Sequence, residues 1–189
     1  MDIIFFLSMI CLIAFMILAT YDGAYLHLWK YELFNQKESK FEHKTHTIRA
    51  ILFPLIVWLL ILNTTIVSFW TGIILVILDL ITLAVDAYSE EESRAFMNGL
   101  PKWEYILHLF ANGFHFTFII LIISTKLEIE SSLLFYSNEF LKSNSFETVQ
   151  FIALNVLPGV IILAIAHLLL MSEFGKKLWN INRLKLKCC

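Results

Sequence analysis

Six histidines stand at positions 27, 43, 46, 108, 115 and 167, and most have a carboxylate or a second histidine at helical spacing. His43 and His46 are three residues apart, Glu42 and His46 four, Asp79 and Asp86 seven, and Asp86 and Glu90 four. Glu104, His108, Asn112 and His115 follow at intervals of four, four and three. In an α-helix all these intervals bring side chains to one face. Imidazoles and carboxylates are the ligands that iron, manganese and zinc take, and helical bundles build dinuclear centres from them on facing helices. The candidate metal ligands are Asp22, His27, His43, His46, Asp79, Asp86, Glu104, His108, His115 and His167. A single catalytic zinc takes three protein ligands and a water, so this set suits a two-metal centre with further residues orienting the imidazoles. His46, Asp86, His108 and His167 are the expected primary ligands. The others are expected as further ligands or as their hydrogen-bond partners.

Several of these residues also have simpler readings. His27 and His43 suit a polar interface, and Asp22 suits a helix end. Glu90, Glu91 and Glu92 form a charge run expected to be solvated. Asp79 with His115 could join two helices as a buried ion pair, and Asn63 and Asn155 suit interhelical hydrogen bonding.

The elements that must position these groups follow from composition. Of 189 residues, 59% are hydrophobic and 16% charged, with a mean hydropathy of +0.75, which marks an all-α integral membrane protein. Uncharged stretches run from Ile3 to Tyr21, Ala50 to Leu78, Tyr105 to Thr125 and Thr148 to Ser172. Each is long enough to span a hydrocarbon core, which takes about 20 helical residues. The second is long enough for a helical hairpin turning near Asn63, Thr64, Thr65 and the Trp70-Thr71-Gly72 that follows. About five transmembrane helices are therefore predicted, at roughly 3–28, 46–68, 72–90, 103–125 and 148–172, in a single domain with a basic tail over 173–189.

The first segment lacks a basic n-region and a small-residue cleavage site, so it reads as a retained helix. Twelve Lys and Arg fall in the connections on one side: Lys30, Lys37, Lys40, Lys44, Arg49, Arg94, Lys102 and five after the last span. Only Lys126 and Lys142 fall on the other. The positive-inside rule then predicts the N-terminus outside and the C-terminus in the cytoplasm. Trp29, Trp70 and Trp103 sit at helix ends, as interfacial aromatics do. Leu127 to Phe146 is expected to form a short amphipathic helix on the outer surface. On this topology all six histidines lie between the midplane and the cytoplasmic leaflet.

Fourteen basic against sixteen acidic residues leave no cationic excess for nucleic acid. Cys11 reads as a small buried hydrophobe, and Cys188 with Cys189 ends a basic tail that resembles a lipidated terminus. Lys185 and Lys187 resemble a dilysine retrieval signal. The expected location is a bacterial inner membrane, or the endoplasmic reticulum in a eukaryote.

The whole arrangement resembles, in type, the histidine-rich integral-membrane metalloenzymes, which include lipid desaturases, hydroxylases and ceramidase-like hydrolases. The chain has neither HxxxH nor HxxHH, and its His43-Lys44-Thr45-His46 is a shorter match. The expected function is that of a membrane metalloenzyme with a dinuclear centre, iron first and zinc or manganese as alternatives. Its substrate would be a lipid or other hydrophobic molecule. Iron implies O₂-dependent oxidation or hydroxylation with a redox partner, and zinc implies metal-assisted hydrolysis. A haem b electron carrier and a metal-ion or proton transporter are the alternative readings.

Overall fold

The protein is described from a computed structural model over residues 1–130 and 133–187. Cys188 and Cys189, proposed above for lipidation, lie outside the described residues, as do the side chains of Lys185 and Lys187. Six helices dominate. α1 spans Asp2–Lys30, α2 Lys40–Leu62, α3 Ile66–Ser93, α4 Lys102–Thr125, α5 Asn144–Leu170 and α6 Glu173–Lys187. The first five are long and apolar enough to cross a membrane. They run alternately up and down, so the C-terminal ends of α1, α3 and α5 meet the N-terminal ends of α2 and α4.

α2 and α3 turn earlier than the sequence pattern suggested. Asn63 is extended, its Oδ1 accepts the Thr65 N–H at 3.1 Å, and Thr65 caps α3 by accepting the Ser68 N–H at 3.2 Å. Trp70-Thr71-Gly72 consequently falls inside α3. Gly72 lets α3 close on α2, because a Cβ there would lie 2.5 Å from Leu60 Cδ2. α1 packs on α4 and α5, and α2 on α3 and α5. Phe5, Leu12, Phe53, Ile56, Phe118 and Phe146 are buried where these helices meet.

The surface is apolar as well: Ile3, Phe6, Val67, Leu109, Phe151 and Ile162 all point outward. In a bilayer, lipid would solvate such a surface as well as another helix does, so that apolar contact alone would not choose which faces meet. Buried polar pairing and close approach must choose them.

The amphipathic helix expected over Leu127 to Phe146 is replaced by an antiparallel hairpin, β1 Leu127–Glu130 with β2 Leu133–Tyr136, and a 3₁₀ turn at Glu139–Lys142. Leu127 and Ile129 alternate with Glu128 and Glu130, which is a strand period rather than a helical one. Tyr136 then anchors the hairpin by donating to the Thr64 carbonyl at 2.6 Å.

The basic stretch after α5 is helical rather than irregular. One side of α6 rests on α1, with Trp179 edge-on to Trp29 and the Arg183 guanidinium paired with Glu32.

Candidate metal centre

The last turns of α1, Thr20–Lys30, are π-helical. On a regular α-helix Asp22 and His27, five residues apart, would point roughly 140° away from each other. In a π-helix the hydrogen bond runs from i to i+5, so residues at this spacing lie one above the other. His27 Nε2 accordingly sits 3.2 Å from Asp22 Oδ1.

Three other helices bring their polar faces to this point. From α2, Glu42 Oε1 lies 3.9 Å from His27 Nε2 and 3.6 Å from His46 Nε2. From α3, Asp86 Oδ2 is 3.2 Å from His46 Nε2, while Thr45 donates its hydroxyl to Asp86 Oδ1. From α4, His108 Nε2 contacts Asp22 Oδ1 at 3.0 Å and its Nδ1 faces Glu90. Glu90, read above as solvated, is thus drawn into the site, whereas Glu91 and Glu92 are exposed.

Two groups have donor atoms mutually within 4.8 Å: Asp22, His27 and His108, and His27, Glu42 and His46. Both use His27. An imidazole nitrogen has one lone pair, so Nε2 can serve only one ion. An ion taken by His27 with Glu42 and His46 would leave Asp22 and His108 as the remaining pair of donors; Glu90 faces His108 Nδ1, on the other side of the ring from Asp22, and so is placed to orient that imidazole. Glu42 is fully buried, and its Oε1 has no hydrogen-bond partner among the described residues. A carboxylate oxygen left in this condition costs several kcal/mol unless a cation or donor takes it up.

Its other oxygen is committed. Arg94 Nη1 donates to Glu42 Oε2 at 2.5 Å, Nε and Nη2 donate to Glu104 Oε1 at 2.9 and 2.6 Å, and Nη2 lies 3.3 Å from His27 Nε2. Arg94, Glu42 and Glu104 are all wholly buried. Arg94 follows α3 directly, and Ser39 ties the same corner by donating to the Ser93 carbonyl at 2.7 Å. Arg94 lies in the connecting segment where the sequence places it, and Glu104 is the residue expected as a further ligand or as the hydrogen-bond partner of one. Instead Glu104 points at Arg94, and the guanidinium holds α2, α3 and α4 together.

About two turns deeper lies a second polar group. Arg49 Nε donates to Asp79 Oδ1 at 3.2 Å and Nη2 to Asn112 Oδ1 at 2.8 Å. His115 Nε2 lies 3.0 Å from Asp79 Oδ2, with its ring among Phe15, Phe53 and Phe116. Asp79 and His115 therefore form a helix-joining pair with Arg49 as third member, separate from the His27 cluster. His43 and His167 stack on each other at 5.4 Å; His167 lines the cavity described next, and His43 does not. Of the ten residues singled out in the sequence, Asp22, His27, His46, Asp86 and His108 meet directly; Asp79 and His115 pair deeper along the same cavity, His167 lines its wall and stacks on His43, and Glu104 is joined to Glu42 through Arg94. Glu42 and Glu90 join the cluster although neither was among the ten.

A cavity of about 130 Å³ connects the two polar groups. Its walls carry Asp22, His46, Asp86 and His108 at one end and Phe15, Met16, Phe53 and Val160 at the other, with Arg49 between. That volume holds several waters or the end of a chain molecule.

No family model matches this chain, and no curated protein or solved structure matches it either. The site's chemistry must be read from its own geometry.

Proposed function

We propose that the protein is an integral membrane metalloenzyme whose dinuclear centre is held by His27, Glu42 and His46 on one side and by Asp22 and His108 on the other. The observation that carries this is the buried Glu42 Oε1, which has no hydrogen-bond partner among the described residues and lies 3.6 and 3.9 Å from two imidazole nitrogens, with Arg94 holding the other oxygen. The all-nitrogen and oxygen donor set suits iron, manganese or zinc, and two halves that each hold a carboxylate favour a pair of ions. A metal pair would supply Lewis acidity and an activated oxygen species or water for oxidation or hydrolysis. The chain's own part is to orient His46 with Asp86 and His108 with Glu90, and to shape a cavity with one apolar end for a hydrophobic substrate.

Membrane insertion is supported by the five long apolar helices and by the outward-facing apolar side chains. With Arg49 and Arg94 neutralised inside the bundle and Lys126 buried at the opposite end, ten basic residues remain on the site's side against one, Lys142. That balance favours a cytoplasmic site, an outside N-terminus and a cytoplasmic C-terminus. A haem b is disfavoured because the His27 and His46 rings are 4.1 Å apart, leaving no gap for a porphyrin plane between them. Elemental analysis and an absorption spectrum of protein purified in nanodiscs test the proposal. About one to two transition-metal ions per chain, lost in Glu42→Gln with His46→Ala, are expected. A Soret band, or metal at background after expression with iron, zinc and manganese supplied, would overturn it.

A further inference from the structure

Arg49 stands where the polar and apolar ends of the cavity meet, three residues beyond His46 on α2. A guanidinium has five N–H donors in a fixed plane. Two are used, by Asp79 and Asn112. Nη1 makes only a 3.9 Å ion-pair contact with Asp86 and no hydrogen bond among the described residues. Arg49 is partly open to the cavity, so donors remain for a molecule inside it.

The surrounding charge selects what that molecule is. Asp79 and Asp86 place two carboxylates around one guanidinium, and His46 and His115 are the other titratable groups facing it. Before any metal ion is bound, an incoming carboxylate or phosphate would meet both aspartates in a low-dielectric site, where like charges repel strongly. A neutral hydroxyl, carbonyl or amide oxygen accepts the Nη1 hydrogens without that repulsion. Beyond Arg49, Phe15, Met16, Phe53 and Val160 provide an apolar continuation for hydrocarbon.

We infer that the cavity takes a neutral long-chain amphiphile, an alcohol, aldehyde or amide, whose oxygen is held by Arg49 Nη1 and whose chain runs toward Phe15 and Phe53. This rests on the metalloenzyme reading for its chemistry and on the cavity alone for its binding. It places the oxygen-bearing head, rather than a mid-chain carbon, beside the His46–Asp86 side of the site.

The test is photolabelling in nanodiscs with diazirine-tagged dodecanol and dodecanoate, with labelled residues mapped by mass spectrometry and metal content measured in the same preparations. Labelling by dodecanol near Phe15 and Phe53, saturable by untagged dodecanol and at least tenfold above that by dodecanoate at neutral pH, is expected. Arg49→Met should reduce the saturable fraction about tenfold, and Arg49→Lys, which keeps a donor, should retain an intermediate fraction. Equal labelling by acid and alcohol, or saturable labelling unchanged in Arg49→Met, would overturn the inference. If Arg49→Met does not fold, the wild-type selectivity and Arg49→Lys decide the matter. Saturable, alcohol-selective labelling of metal-free protein would uphold this inference while removing the metal reading, and bound metal without such labelling would do the reverse.

Discussion

Replacing Arg94 with methionine would remove one cation from between two wholly buried carboxylates. Its Nη1, Nε and Nη2 make three hydrogen bonds of 2.5–2.9 Å to Glu42 and Glu104, all three residues being wholly buried. At an effective dielectric near 20, each ion pair at about 4 Å is worth roughly 4 kcal/mol before desolvation. Removing one member of such a buried pair typically costs about 3–5 kcal/mol, because the remaining charge stays behind uncompensated. For a chain of this size that corresponds to a fall in melting temperature of about 6–20 °C. Arg94→Lys keeps the charge but not the planar fork that reaches both carboxylates, so it should melt between the two. The decisive measurement is a double-mutant cycle with Glu104→Gln, read by thermal unfolding in one detergent. Glu104→Gln alone destabilises, yet combined with Arg94→Met it should be less harmful than Arg94→Met by itself, because a buried charge has gone. Additive effects, or an Arg94→Met melting point within about 2 °C of the parent, would refute the argument that this guanidinium holds three helices together.

Glu42→Gln should lower metal content at least tenfold while leaving the Arg94 corner weakened but folded, as metal titration and circular dichroism together would report; unchanged metal content speaks against Oε1 as a ligand. Burial between Phe140 and Phe146 pushes the Lys126 ammonium down to about 8 from its ordinary 10.5. Between these values the folded chain binds fewer protons than the unfolded one, so stability rises with pH across the window and is lowest below pH 8. The full span corresponds to about 3 kcal/mol, partly offset at neutral pH by the attraction between ammonium and rings. Lys126→Met should therefore melt higher than the parent at pH 7 and lose that advantage by pH 10.5; a pH-independent difference would contradict it. Gly72→Val should cost about 1–3 kcal/mol by overpacking against Leu60, and Leu60→Ala should recover part of it in the double variant.

The five long helices were legible because twenty-residue uncharged runs have few other uses, and the polar faces of α2, α3 and α4 were legible because they keep helical spacing. Asp22 and His27 were chosen as residues but not as a pair. Their spacing of five belongs to a π-helix, and no pattern in the sequence marks where α1 changes its winding. Arg94 lies in the connection expected for it, but its burial was not legible, for a different reason. It follows three glutamates and precedes a turn at Asn98 and Gly99, both with positive φ, so its surroundings read as a solvated connection. Its burial arises from Glu42 and Glu104, distant in sequence, which no local pattern ties to it. A search for arginines able to neutralise the acidic excess of the site would have found both Arg94 and Arg49. The hairpin at Leu127–Tyr136 was legible in the alternation of Leu127, Glu128, Ile129 and Glu130, but the apolar content of the stretch was weighted above its period.

The crossing of α1 with α4, rather than with its sequence neighbour α2, bears on how the chain is made. α1 emerges first and carries Asp22 and His27, but the His108 that meets Asp22 arrives only with α4, the fourth helix to be synthesised. Glu42 likewise waits for Arg94 at the far end of α3. Until α4 arrives, Asp22 has only His27 of its own helix to meet it, a standing that would be weak in a bilayer. A ribosome stalled before α4, or a gene split between α3 and α4, would thus yield a fragment in which α2 and α3 keep their pairs but α1 lacks the helices it packs on. Supplying the second half in trans should restore them.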